Sequence, residues 1–232
     1  MERLNKYIAR CGVCSRREAD DLIEAGKIKV NGKITSTLGI KIDPDNDTVQ
    51  LKGKTIEPDK KLLFAFYKPK GVTSTLRDYH ARKTITDYFK GIDRVYPVGR
   101  LDKESEGLMI VTNDGDLANE LMHPKYNHEK EYEVLLSGYS DRNLSKFQEK
   151  YEVGGKTIQP MEYKILETFS GNNWLVSLIL REGKKRQIRE VADYLGYKIK
   201  KLKRVRIDDL KLSDLNLSPG QFKPIDSKIF HK

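Results

Sequence analysis

Val95-Tyr96-Pro97-Val98-Gly99-Arg100-Leu101-Asp102-Lys103-Glu104-Ser105-Glu106-Gly107-Leu108-Met109-Ile110-Val111-Thr112 decides how the rest of the chain is read. Two apolar, strand-forming runs, residues 95–98 and 108–112, flank a charged loop bracketed by glycines. Glycines on either side of a carboxylate let the backbone present that side chain at a sheet edge, and the adjacent arginine favours its ionised form. By composition alone the same loop is also an ordinary surface connection.

Outward from this pair, further β-rich runs occupy residues 62–67, 130–136, 161–166 and 174–180. Helical patterns are fewer, at 84–89, 117–122, 141–150 and 187–195. Strands outnumber helices and do not alternate with them regularly, so the expected class is α+β, with a mainly antiparallel mixed sheet rather than a doubly wound one.

The N-terminal stretch has its own logic. Leu4, Tyr7, Ile8 and Cys11 make one apolar stripe that ends at Gly12. Ser15-Arg16-Arg17-Glu18 is a capping box opening a second helix, with Ala19, Leu22 and Ile23 on one face and a stop at Gly26. Lys27-Ile28-Lys29-Val30 alternates polar and apolar, and Asn31-Gly32 is the dipeptide favoured in two-residue hairpins. A small helix-helix-hairpin domain over residues 1–57 is expected. The polar, proline-containing stretch Glu57-Pro58-Asp59-Lys60-Lys61 then separates it from a larger domain over 62–232.

The 232 residues carry a net charge of +10, and its distribution is uneven. Residues 1–33 hold 8 basic against 5 acidic side chains, and residues 181–206 hold 11 against 3, so the remainder is close to neutral. Positive charge concentrated in two places favours a polyanion, because neutralising phosphates releases condensed counterions. Each stretch alone is equally a solvated face. No apolar run approaches the roughly 20 residues of a membrane span and no secretory signal is seen, so a cytoplasmic location without a membrane partner is expected.

Familiar chemistries lose their handles. Cys11-Gly12-Val13-Cys14 has the spacing of half a zinc site, but His80, His123, His128 and His231 are scattered singly, and reduced, packed cysteines are the preferred account. There is no GxxxxGK[ST], no GxGxxG and no GxSxG. No metal, nucleotide or other cofactor is expected.

Gly99-Arg100-Leu101-Asp102 followed by Ser105-x-Gly107-Leu108 resembles the signature of pseudouridine synthases, in the RsuA/RluB-like branch that acts on ribosomal RNA. Leu4-Asn5-Lys6-Tyr7, Cys14-Ser15-Arg16-Arg17-Glu18-Ala19 and Val30-Asn31-Gly32 resemble the small N-terminal RNA-binding module of the same enzymes, also found in a small-subunit ribosomal protein. Lys68-Pro69-x-Gly71, His128-Glu129-Lys130-x-Tyr132 and Glu182-Gly183-x-x-Arg186-Gln187-Ile188-Arg189 resemble three further motifs, in the expected order.

The resemblance implies isomerisation of a uridine in RNA, in which the bond to ring nitrogen 1 is broken and the uracil is rejoined through carbon 5. It makes Asp102 the catalytic aspartate, acting as nucleophile or as base on the sugar. It makes Tyr132 the aromatic on which the extruded base stacks and Arg189 the cation paired with the carboxylate, while Arg100 helps hold the flipped nucleotide and Ile188 lines the uracil pocket. Arg3, Lys6, Arg16, Arg17 and Lys27 in the small module, with Lys184, Lys185 and Arg186, are the expected RNA-phosphate contacts. The expected partner is ribosomal RNA or a ribosomal subunit precursor, large-subunit rather than small-subunit RNA, bound by a monomer. A non-catalytic RNA-binding or ribosome-assembly protein and a transfer-RNA pseudouridine synthase are the alternatives.

Overall fold

In the computed structural model, residues 1–76 and 83–230 are described; His80 and His231 lie outside them. They divide into two compact units, residues 1–62 with 92–94 and 113–115, and the remainder.

The small unit forms as its local signals dictate. Helix Leu4–Arg10 buries Leu4, Tyr7 and Ile8, and helix Arg16–Glu24 starts at a reciprocal capping box between Ser15 and Glu18. Asn31 and Gly32, both at positive φ, turn strand Ile28–Val30 back onto Lys33–Thr35, and Val49–Leu51 pairs on the other side of Ile28–Val30. Ile28, Ile42 and Val49 close the core against the two helices. Cys11 and Cys14 are free thiols packed at the helix-helix turn, and burial pushes Cys11 up to about 12.

The large unit is built on a mixed sheet. Its strands run Glu162–Phe169, Asn173–Leu180, Lys130–Ser137, Lys198–Ile207, Glu106–Thr112, Leu63–Lys68 and Phe222–Pro224 in spatial order. All neighbours on this path are antiparallel except Lys198–Ile207 with Glu106–Thr112, which is parallel. Helix Gln187–Tyr194 packs Ile188, Val191 and Ala192 onto the Lys130 side of the sheet, and helix Gly115–Met122 packs Leu117, Ala118 and Leu121 onto the Leu63 side. The α+β, mainly antiparallel expectation holds.

Three readings change. Residues 84–89, expected as a helix, form only the 3-10 turn Ile85–Tyr88, opened by a reciprocal capping box between Thr84 and Asp87. Residues 141–150, expected as a helix, form only the 3-10 turn Leu144–Gln148: their apolar pair Leu144 and Phe147 is buried within one turn, and the next residues enter strand Tyr151–Val153. The basic stretch 181–206 is not one surface but a loop, a helix and the ten-residue strand Lys198–Ile207 at the heart of the sheet.

Candidate active site

The loop between Tyr96–Pro97 and Glu106–Thr112 leaves the sheet at the parallel junction. Gly107, at φ 112°, pairs with Arg204, and a Cβ there would lie 2.2 Å from the Arg204 carbonyl oxygen. Only glycine admits so close a backbone approach, and this contact fixes where the loop enters the strand.

Every carbonyl from residue 101 to 105 then has a donor. Ser74 Oγ donates to Leu101 O at 2.6 Å and accepts from Leu101 N at 3.1 Å. Ser105 N donates to Asp102 O at 3.0 Å, and Gly71 N to Lys103 O at 2.7 Å. Arg189 Nη2 reaches Glu104 O at 3.4 Å and Ser105 Oγ at 3.0 Å. Lys68 Nζ donates to Ser105 O at 2.7 Å and Pro69 O at 2.9 Å. Lys68 is wholly buried, and burial, partly offset by Asp102, lowers its pKa to about 8. A loop pinned at each peptide holds its carboxylate with little freedom, which is the form of preorganisation that reaction geometry rewards.

Asp102 stands out of this pinned loop with its side chain about one-third exposed. Its Oδ2 lies 3.5 Å from Arg189 Nε and 4.0 Å from Arg186 Nη1. Arg186 adopts a left-handed backbone, φ 58°, immediately before helix Gln187–Tyr194. Gln187, almost fully buried, braces this entry: its Oε1 accepts from Lys184 N, and its Nε2 donates to Glu182 at 2.7 Å.

A cleft of about 1050 Å³ opens over Asp102, and Arg100, Tyr132, Ile188 and Arg189 all line it. The five site residues expected from sequence therefore share one cavity. Tyr132 reaches it by period-two alternation along Lys130–Ser137: Lys130 and Tyr132 face the cleft, while Val134 and Leu136 on the same face continue into the core. The Tyr132 hydroxyl has no hydrogen-bond partner among the described residues.

The expected phosphate contacts separate into two groups. Arg3, Arg16, Arg17, Lys27, Lys185 and Arg186 are exposed and Lys6 is half-buried. Lys184 is tied inward, to Glu182 at 2.7 Å and to the carbonyl of Thr157. Much of the charge in 181–206 is likewise engaged: Arg181 with Glu129 and Glu162, Arg206 with Glu129 and Glu131, Lys201 with Glu106. Lys68, Ser74 and Gln187, which hold the site together, carried no assigned role in the sequence; Lys68 and Gln187 fell within quoted motifs, whereas Ser74 had no signal.

The family described as RNA pseudouridylate synthase matches residues 62–193, and the S4 domain matches residues 2–49. The chain is 41% identical, over all of its length and 98% of the relative's, to the ribosomal large subunit pseudouridine synthase B of Bacillus subtilis. It is 38% identical to the dual-specificity RNA pseudouridine synthase RluF of Escherichia coli, over 93% of this chain and 73% of that one. A crystal structure of a pseudouridylate synthase superposes with a TM-score of 0.69 at 28% identity, covering 99% of both chains.

Proposed function

The chain belongs to the RNA pseudouridylate synthase family, and from that premise we propose that it isomerises a uridine of large-subunit ribosomal RNA, with Asp102 as its catalytic group. The observation that supports this most directly is the pinned, partly exposed Asp102 carboxylate facing Arg189 at 3.5 Å in the cleft that also holds Tyr132. Large-subunit RNA is favoured by the Bacillus subtilis relative, a ribosomal large subunit pseudouridine synthase similar along the entire chain.

A uridine within folded RNA hides its glycosidic bond, so the nucleotide is extruded at a cost of a few kcal/mol. Stacking of the uracil on Tyr132 and phosphate contacts offset that cost. Arg3, Lys6, Arg16, Arg17 and Lys27 belong to the small module, residues 1–57 in this reading, and supply phosphate contacts there. Lys185 and Arg186 do so beside the cleft, Arg100 holds the flipped nucleotide, and Ile188 gives the uracil an apolar wall. Asp102 attacks the sugar carbon or removes a sugar proton, and on either route Arg189 keeps a positive charge against the carboxylate. The enzyme works as a monomer.

The test is Asp102→Asn, assayed by mapping pseudouridine in ribosomal RNA. Binding is expected to stay within a few-fold of wild type while product formation falls by at least about 10³-fold. A variant that still forms pseudouridine at an appreciable rate would remove Asp102 from the chemistry.

A further inference from the structure

Arg204 is left unexplained by the fold and by the Asp102 pair. It is 3% exposed, lines the cleft, and donates Nε to Leu108 O at 2.7 Å. Its Nη2 is buried with no hydrogen-bond partner, and no carboxylate pairs with it among the described residues. A guanidinium stays charged and presents five donors, so burying its Nη2 without a partner is unfavourable until an acceptor arrives. Arg204 also adds to the burial that lowers Lys68 and Lys130, so its charge is felt at both ammonium groups.

Its position identifies the acceptor. Arg204 is the direct cross-strand partner of Tyr132, and both line the cleft. Directly opposed residues on one sheet face sit about 5 Å apart, so a planar base lying on the Tyr132 ring brings its edge over Arg204. A backbone phosphate of stacked RNA meets the exposed cations at the rim, such as Arg100 and Lys185, before it meets a guanidinium as buried as this one.

We propose, resting on the pseudouridine synthase reading, that Arg204 donates from its Nη groups to a carbonyl oxygen of the extruded uracil and holds the charge that the ring gains on cleavage. When the bond between N1 and C1′ breaks, its electron pair stays on the ring and spreads from N1 to O2 and O4. A desolvated, fixed donor is worth most where charge develops. The uracil must then turn without being lost. Rotation about the axis through N3 and C6 exchanges N1 with C5 and O2 with O4, so a donor aimed at one carbonyl meets an equivalent carbonyl afterwards. The C5 pair then forms the bond to C1′, the C5 proton leaves to solvent and N1 takes one up, which balances the isomerisation.

The experiment compares wild type, Arg204→Gln and Arg204→Lys in single-turnover reactions on a large-subunit ribosomal RNA fragment. The target is either uridine or 5-fluorouridine, whose electron-withdrawing fluorine makes the ring a better leaving group. With uridine, Arg204→Gln should slow glycosidic cleavage about 100-fold with RNA affinity changed less than about threefold, and Arg204→Lys should recover part of the rate. With 5-fluorouridine the gap between variant and wild type in consumption of the target should shrink to about 10-fold or less. Because each protein is compared with itself on two substrates, a loss of folded protein cancels. An unchanged gap, a loss confined to RNA affinity, or wild-type rates in Arg204→Gln would each overturn the role of Arg204 alone. A wild-type chain that forms no pseudouridine in any ribosomal RNA would overturn the underlying reading and this inference with it.

Discussion

Lys68 shows how much chemistry one buried side chain controls. Its ammonium joins the peptides of Ser105 and Pro69, and burial brings its pKa down to about 8 from 10.5. Because the folded value is the lower one, the unfolded chain binds more protons between about pH 8 and 10.5. The charged form is a cost to folding at neutral pH, and this contribution to stability improves as pH rises through that window. Activity runs the other way: a neutral amine grips the two carbonyls less strongly and loosens the Asp102 loop. Turnover at saturating RNA is expected to fall along a one-proton limb centred near pH 8, and in Lys68→Met to be about tenfold lower with that limb absent. A rate profile from pH 6 to 9.5 checks both. For Tyr132, Phe keeps the ring and should retain turnover within about threefold. Ala should lose roughly 10-fold to 100-fold, since stacking is worth about 1–3 kcal/mol. Equal rates in Tyr132→Phe and Tyr132→Ala would remove stacking from the account. Asp102, Tyr132 and Arg189, which share the cleft, were singled out only through the family motifs they sit in; Ser74 was not, because a serine that fastens a loop 27 positions away leaves no periodic trace.

Among the elements, alternating apolar strands were readable to within a few residues, whereas the central strand Lys198–Ile207 was not read at all. Its sequence, Lys-Ile-Lys-Lys-Leu-Lys-Arg-Val-Arg-Ile, looks like a solvated basic run. Register shifts opposite Glu131/Tyr132 and Leu135/Leu136 also break the two-residue period that reveals a strand. Two of its cations are paired with neighbouring carboxylates, Lys201 with Glu106 at 3.1 Å and Arg206 with Glu131 at 2.7 Å, while Lys198 and Lys200 stay exposed. The parallel pairing to Glu106–Thr112 depends on Gly107, where a methyl group would collide with the Arg204 backbone. Gly107→Ala should therefore destabilise the protein by at least about 2 kcal/mol, read as a lower denaturant midpoint. It should lower turnover more than RNA affinity, because the junction it disturbs joins the strand that follows the Asp102 loop to the strand that carries Arg204. A midpoint within error of wild type would show that the junction yields without loss.

For the molecule as a whole, a net charge of +10 overstates what is available to RNA. Arg181, Lys184, Lys201 and Arg206 are held by the protein's own carboxylates, while Arg16, Arg17 and Lys27 are exposed in the small unit. Only charges that meet phosphate release counterions, and each phosphate neutralised adds roughly 0.7 to 0.9 to the slope of log affinity against log salt. Replacing Arg16, Arg17 and Lys27 together with Gln should reduce that slope by about 2 and weaken binding to all RNAs alike. The single-turnover rate of RNA already bound should stay unchanged, because none of the three lines the Asp102 cleft. Lys184→Gln removes one formal charge from the most basic stretch of the chain, yet its ammonium already faces Glu182 at 2.7 Å, so the slope should move by less than about 0.3. Titrations of one RNA between 50 and 300 mM salt, repeated for wild type and the two variants, separate these cases. A slope change for Lys184→Gln as large as one third of that for the triple variant would mean that the ion pair opens when RNA binds, and that local charge density rather than exposed charge governs the grip on RNA.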